Sequence, residues 1–133
     1  MKKRLILIIS VLIFGLVPFL LAQGGLTHKW ITVTATAYCP CNICCGKHAD
    51  GKTATGRDAY KPGVAVDPKV IRLGSHLDIP GYKRGPNNNG SWILADDTGS
   101  AIKGNKIDVR FKTHREAKEW GVKIITIRVW IKK

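Results

Sequence analysis

Six short segments of the chain have the hydrophobic pattern of β-strands. The first, Trp30–Tyr38, alternates Thr with smaller apolar residues at a period of two. The other five are Val64–Val66, His76–Ile79, Trp92–Ala95, Ile107–Phe111 and Lys123–Ile131, with Gly, Pro or Asn between them. Six strands in roughly 100 residues, without a βαβ rhythm, predict a mainly β fold, a small closed six-stranded barrel.

One short helix is predicted between the last two strands. Thr113 and Glu116 have the spacing of a capping box, in which each residue satisfies a backbone N–H of the other. Gly121 lies where a helix C-terminus favours a left-handed residue. The two signals predict a helix of about two turns.

The first 22 residues have the pattern of an export signal. Residues 2–4 are basic, and residues 5–21 are apolar apart from Ser10, Gly15 and Pro18. We favour cleavage near Ala22, and the alternative is an uncleaved membrane anchor formed by residues 5–21. Residues 23–29 then form a tether, and residues 30–133 form one domain, exported to the cell wall, the periplasm or the medium.

The charge of the chain limits its partners. The chain of 133 residues has 22 Lys and Arg against 9 Asp and Glu, a net charge of +13. Three of those basic residues lie in residues 2–4, so the exported part keeps a balance of +10. Such a domain attracts polyanions. Outside a membrane these are cell-wall polymers and lipid headgroups, so nucleic acid is not expected as a partner. The length excludes a multidomain enzyme, and we expect a monomer.

Three aspartates stand at positions that suggest chemistry. Asp67 and Asp97 each follow an apolar run. Asp108 lies within a strand whose apolar face carries Ile107 and Val109, so its carboxylate is expected on the opposite face. Each aspartate alone is typical of a turn or a cap. As a set, the three are candidates to line one cleft.

The stretch Asp97–Asp108 resembles the 3D, or three-aspartate, domain family. Further matching motifs are Thr36-Ala37-Tyr38, Asp50-Gly51 with Thr53-Ala54-Thr55-Gly56, Ala65-Val66-Asp67-Pro68, Leu73-Gly74, and Ala117 with Gly121. The similarity covers about Ile31 to Ile131. It implies a double-psi β-barrel related to the barrel of membrane-bound lytic transglycosylase A, and more distantly to expansins. It also implies an enzyme that cleaves peptidoglycan.

The resemblance implies a site. Asp108 matches the acid and base of the transglycosylase, Asp97 its neighbouring aspartate, and Asp67 completes the trio. Substrate-binding residues implied by the same motif are Thr98, Gly99, Lys103 and Gly104. No cofactor and no catalytic metal is expected, and the implied partner is a peptidoglycan glycan strand.

The expected reaction is non-hydrolytic cleavage of the MurNAc–GlcNAc bond. A single carboxyl group suffices, because it protonates the leaving oxygen while the muramyl C6 hydroxyl attacks its own anomeric carbon. Two alternatives stay open: a non-catalytic, expansin-like glycan-binding or wall-loosening module, and a glycoside hydrolase that uses a second carboxylate. Asp97-Thr98-Gly99 also matches the aspartic-protease triplet, but Ala95 and Asp96 precede it where that motif has two apolar residues.

Four cysteines fall within seven residues, Cys39, Cys41, Cys44 and Cys45. Export favours two disulfides, pairing either 39–44 with 41–45 or 39–45 with 41–44. A zinc site of four thiolates is the alternative, although structural zinc ligands more often come from two separated pairs. Reduced thiols are the third interpretation. The four histidines have no paired spacing, which favours surface or structural roles; they are His28, His48, His76 and His114.

Overall fold

The computed structural model of the chain describes residues 25–85 and 89–131. The predicted export signal or anchor, residues 1–22, lies outside the described residues. In the two described ranges, no helix has the length and the apolar character that a membrane crossing requires.

The six predicted strands are all present; the second and the sixth have the expected bounds, and the others are within three residues of theirs. They are β1 (Thr27–Tyr38), β2 (Val64–Val66), β3 (His76–Asp78), β4 (Ile93–Asp97), β5 (Lys106–Arg110) and β6 (Lys123–Ile131). The single helix predicted from sequence is α2 (His114–Trp120). A four-residue helix, α1 (Asn42–Cys45), precedes it in the cysteine-rich loop and is followed by one 3₁₀ turn, Gly46–His48.

The strands close into a barrel in the order β1-β5-β2-β4-β3-β6. Two neighbouring pairs, β1 with β5 and β2 with β4, are parallel, and the other pairs are antiparallel. The predicted double-psi barrel is confirmed. Because β1 and β5 run in the same direction, their C-terminal ends meet at one end of the barrel.

Strand alternation separates the core from the candidate site. On β5, Ile107 and Val109 are fully buried in the barrel interior. Asp108 and Arg110 lie on the opposite face of the strand. The largest fully buried apolar side chains of the core are Tyr82, Leu77, Ile79, Ile93, Ile107, Ile127, Val33, Val64, Val66, Val109 and Val129. The apolar half of the pattern therefore builds the barrel, and Asp108 is left on the face opposite the core.

The helix α2 is held in place at both of its ends. Its capping box is complete: the Thr113 hydroxyl accepts from the Glu116 N–H, and the Glu116 carboxylate accepts from the Thr113 N–H. The helix ends at Gly121, which has φ 68°. Trp120 is buried, and its indole N–H donates to the Ala35 carbonyl at 3.2 Å. These contacts pack α2 against β1.

A buried ion pair joins β4 to β5 across the intervening β2. The Arg110 guanidinium donates to both Asp96 oxygens, at 2.9 and 2.7 Å, and neither side chain is exposed. Arg57 adds a third bond to Asp96 at 2.6 Å. Gly63 passes so close to this pair that a Cβ there would overlap the Arg110 guanidinium. The loop before β2 is therefore packed directly onto the charges.

Replacing Arg110 with Met should lower the free energy of unfolding by about 3–5 kcal/mol, because the Asp96 carboxylate would stay buried with the half-exposed Arg57 as its only cation. Urea unfolding at pH 7 measures the change. The matched control is Arg115→Met, which removes an exposed pair with Glu119 and should cost less than about 1 kcal/mol. Equal, small costs for both variants would contradict a stabilising role for the buried pair.

Candidate functional site

A groove of about 560 Å³ opens beside the C-terminal end of β4 and the middle of β5, where Asp97 and Asp108 both lie level with Ala65 of β2. One side is the loop that follows β1, and the other is the loop that follows β4. Its lining includes Tyr38, Pro40, Cys44, Cys45, His48, Asp50, Gly51, Lys52, Thr53, Ala54, Ala65, Asp97, Thr98, Gly99, Ser100, Ile102 and Asp108. Two of the three candidate aspartates, Asp97 and Asp108, therefore meet in one groove.

Asp108 is on β5, which lies between β1 and β2. In the strand register it is opposite Thr36 of β1 and Ala65 of β2. The Thr36 hydroxyl donates to Asp108 Oδ1 at 3.0 Å. Burial raises the pKa of Asp108 to about 6, and the negative charge of Asp97 acts in the same direction. The Thr36 hydrogen bond and the Lys106 charge oppose the rise without cancelling it. This carboxyl group can both release and take up a proton near neutral pH.

Asp97 ends β4 and has hydrogen-bond donors around both oxygens. Its Oδ1 accepts from the backbone N–H groups of Ala54 and Thr98, at 2.8 and 2.9 Å. Its Oδ2 accepts from the Tyr38 hydroxyl at 2.6 Å and lies 4.0 Å from Arg110 Nη1. The side chain therefore has a fixed orientation in the groove wall.

Tyr38 links the groove to the buried ion pair. Arg110 Nη1 donates to the Tyr38 oxygen at 3.1 Å, while the Tyr38 hydroxyl donates to Asp97. Burial raises the pKa of Tyr38, so the phenol keeps its proton and stays a donor. The position of Asp97 therefore depends on the pair formed by Arg110 and Asp96.

The structure does not bring Asp67 into the groove. Its two oxygens accept from the backbone N–H groups of Gly104, at 2.8 Å, and Lys69, at 3.0 Å. The Gly104 bond, with that of Lys69, lowers the pKa of Asp67. The carboxylate thus joins the loop after β2 to the loop before β5. Lys103 is exposed and, like Gly104, is not among the groove-lining residues.

Thr98 and Gly99 do line the groove, beside Asp97. Sequence reasoning missed the roles of Asp96 and Tyr38 in holding that aspartate. One signal was available: Arg110 is two residues after Asp108, so the two side chains share a face of β5. Nothing in the sequence indicates that Asp96 meets Arg110, because that contact joins β4 to β5 across β2 and depends on the strand order.

The four cysteines are free thiols in the structure. Three of their sulfurs lie near a histidine 70 or more residues further along the chain: Cys39, Cys41, Cys44 and His114 form one cluster. Cys45 is outside the cluster, with its thiol 3.3 Å from the Cys39 carbonyl oxygen. The disulfide interpretation stays a prediction. The surface or structural role expected for His114 did not predict that it lies beside three cysteine sulfurs.

Residues 62–133, more than half of the chain, match the family model of the 3D domain. The chain belongs to the 3D domain family. The match includes both groove aspartates, Asp97 and Asp108, and the loop between them. It does not include β1 and the cysteine-rich loop, which form the other side of the groove.

Curated relatives of this 3D domain chain come from Bacillus subtilis (strain 168). The chain is 42% identical over 104 residues to the "Putative cell wall shaping protein YabE" and 44% identical over 105 residues to the "Cell wall-binding protein YocH". These alignments cover 77% and 76% of the chain but 23% and 32% of the relatives. The chain thus corresponds to a quarter to a third of each relative.

Among solved structures, the 3D domain chain is similar to MltA from E. coli. The likeness covers 62% of this chain and 28% of MltA, at 23% identity and a TM-score of 0.46. It concerns the barrel fold alone.

Replacing Asp108 with Asn should raise the free energy of unfolding by about 1–3 kcal/mol at pH 8, since a carboxylate whose pKa is raised on folding destabilises the folded state once it is ionised. The gain should be absent at pH 3, where Asp108 is protonated in the folded and unfolded chains, and should grow between pH 4 and pH 6. Thermal unfolding of both proteins across pH 3–8 measures it. A gain independent of pH would contradict the raised pKa.

Proposed function

We propose that this 3D domain protein cleaves the glycan strands of peptidoglycan, as a lytic transglycosylase, with Asp108 as both acid and base. The observation that carries the proposal is the contrast between the two groove carboxyls. Asp108 accepts one side-chain hydrogen bond and has a pKa of about 6, whereas Asp97 is surrounded by donors. A general acid works best with a pKa near the operating pH, and Asp108 meets that requirement.

The proposed reaction has two proton transfers and consumes no water. Protonated Asp108 gives its proton to the glycosidic oxygen, and the bond from that oxygen to the muramyl C1 breaks. The muramyl C6 hydroxyl attacks C1, and the Asp108 carboxylate takes the proton that the hydroxyl releases. The product ends are a GlcNAc hydroxyl and a 1,6-anhydromuramyl ring, and Asp108 is returned to its protonated form.

Asp97 has a supporting part in this proposal. Its negative charge helps to keep the proton on Asp108. The N–H groups of Ala54 and Thr98 occupy its Oδ1, and the Tyr38 hydroxyl occupies its Oδ2. A carboxylate held by donors on both oxygens is poorly placed to activate water, which favours the non-hydrolytic route over a two-carboxylate hydrolase. Thr98 and Gly99, which also line the groove, are proposed to contact the sugar.

The proposed place of action is the cell wall. YabE is named as a cell wall shaping protein and YocH as a cell wall-binding protein, and the chain is over 40% identical to both in the aligned regions. A domain with a balance of +10 is suited to a wall that carries carboxylate and phosphate groups. The name of YocH also supports a second candidate function, wall binding without cleavage.

Asp108→Asn should reduce the release of soluble fragments from purified sacculi by at least about 10²- to 10⁴-fold, because it removes the only proposed acid and base. Binding to sacculi should persist. Mass spectrometry of the unmodified protein's products should find 1,6-anhydromuramic ends. Asp97→Asn should cost less, and Asp58→Asn, at an exposed position that is not among the groove-lining residues, is the matched control that should keep full activity.

Three outcomes would redirect the assignment. Full activity of Asp108→Asn would remove Asp108 from its role. Reducing muramyl ends would establish hydrolysis and make Asp97 the second carboxylate to test. No release from murein of any length, with binding intact, would establish the wall-binding function in place of cleavage.

Cleavage by the unmodified protein should fall as the pH rises above about 6, because the protonated fraction of Asp108 falls about tenfold for each further pH unit. Initial rates of fragment release between pH 4.5 and pH 8.5, at constant ionic strength, measure this dependence. A rate that stays constant to pH 8.5 would contradict Asp108 as the acid of the rate-limiting step.

Binding to sacculi should weaken steeply with salt, because charges are screened over about 10 Å at 0.1 M salt but only about 3 Å at 1 M. Co-sedimentation of the Asp108→Asn variant, which leaves the wall uncut, measures binding between these two concentrations. Binding that does not change with salt would exclude charge as its main source.

A further inference from the structure

A cluster of metal-ligand atoms lies beside the groove and has no part in the proposed cleavage. The sulfurs of Cys39, Cys41 and Cys44 and the Nδ1 atom of His114 are all within 4.8 Å of one another. His114 Nδ1 is 4.0, 3.9 and 3.4 Å from the three sulfurs, in that order. The Cys39 and Cys44 sulfurs are 3.4 Å apart, and those of Cys39 and Cys41 are 2.7 Å apart.

These separations have the scale of a tetrahedral zinc site. With Zn–S bonds of about 2.3 Å and Zn–N bonds of about 2.0 Å, neighbouring ligand atoms lie roughly 3.5–3.8 Å apart. Four of the five distances are between 3.4 and 4.0 Å, and the shortest is still longer than the roughly 2.05 Å of an S–S bond. Three thiolates and one imidazole are the donors that zinc prefers.

The barrel brings the two parts of the cluster together. Cys39 directly follows β1, and the Phe111 N–H donates to the Tyr38 carbonyl at 2.7 Å, which fastens the end of β1 to the end of β5. The chain then enters α2, whose capping box places His114 at the first helical position. His114 therefore reaches Cys39 through strand pairing and helix capping.

The short helix α1 brings the remaining sulfurs to the same place. Cys41 is the N-cap residue of α1, and the Cys45 N–H donates to the Cys41 carbonyl at 2.9 Å, which closes one turn. Residues three apart lie on the same side of such a turn, as Cys41 and Cys44 do here. Cys45 is the next residue and faces the groove.

The position of Cys45 also separates this arrangement from the disulfide pairings. Both pairings expected from sequence use Cys45, joined either to Cys41 or to Cys39. Its thiol contacts the Cys39 carbonyl oxygen instead and is not among the clustered donors. Neither pairing is formed in the structure.

We propose that Cys39, Cys41, Cys44 and His114 form a tetrahedral Cys₃His zinc site that fastens the cysteine-rich loop to α2. Four protein ligands leave no open coordination position, so the role is structural and not catalytic. Pro40, Cys44, Cys45 and His48 of this loop line the groove. The metal would thus fix one wall of the groove without touching Asp108.

The test begins with the full chain, purified without added reductant after growth in zinc-supplemented medium. Elemental analysis should find one zinc per chain. X-ray absorption at the zinc edge should show three sulfurs at about 2.3 Å and one nitrogen at about 2.0 Å. Metal-free protein in which all four cysteines are oxidised, and which takes up no zinc, would overturn the proposal in favour of two disulfides.

Variants separate the ligand set from its neighbours. Loss of an outer contact to a metal ligand already costs 10- to 100-fold in affinity, so Cys44→Ser and His114→Ala should weaken zinc binding by at least about 100-fold in a chelator competition. Cys45→Ser is the matched control and should keep one zinc. Zinc lost in Cys45→Ser but kept in His114→Ala would overturn the proposal in favour of four thiolates.

A conservative variant guards against misfolding of His114→Ala. His114→Cys should keep one zinc, and its absorption spectrum should change from three sulfurs and one nitrogen to four sulfurs. An unchanged spectrum in that variant would exclude His114 as a ligand. None of these measurements depends on cleavage of peptidoglycan, so the site and the proposed function stand or fall separately.

Discussion

The buried pair of Arg110 and Asp96 is the interaction on which the candidate site depends. Burying two charges is favourable only when their hydrogen bonds are satisfied, and here each nitrogen of the guanidinium donates to a partner. Nε donates to the Lys61 carbonyl, Nη1 and Nη2 donate to Asp96, and Nη1 also reaches the Tyr38 oxygen. One side chain thus ties together β1, β4, β5 and the loop before β2.

As a result, the groove contains two carboxyl groups with different hydrogen bonds and different burial. Tyr38 holds Asp97, and Arg110 holds Tyr38, so the orientation of the Asp97 side chain depends on the buried pair. Asp108 receives no such set of donors and is partly withdrawn from water, which raises its pKa. Two aspartates in one groove therefore have different surroundings: hydrogen-bond donors hold Asp97, and burial raises the pKa of Asp108.

The groove wall made by the cysteine-rich loop has a different origin. That loop has one short helix and one 3₁₀ turn, and no residue of either is buried. Its attachment to the barrel relies on Cys39, which is buried, and on the cluster that includes His114. A metal there would supply the rigidity that a loop with so little core cannot obtain from packing.

Much of the barrel could be predicted from the sequence, because strand alternation and helix caps are local signals. The period of two along β1 and β5 placed Ile107 and Val109 inside and Asp108 outside, and the Thr113 and Glu116 box marked the start of α2. The motif between Asp97 and Asp108 was also sufficient to indicate the family. Each of these inferences needs only neighbours along the chain.

Long-range contacts were decided by tertiary structure alone. Asp67 has the same sequence context as a groove aspartate, yet Gly104 and Lys69 engage its carboxylate and it does not line the groove. The four cysteines suggested a self-contained cluster, whereas barrel closure replaces Cys45 with His114. Local patterns determine which face a residue occupies. Which distant residue it meets there depends on strand order and register, and these are set by the closure of the whole barrel.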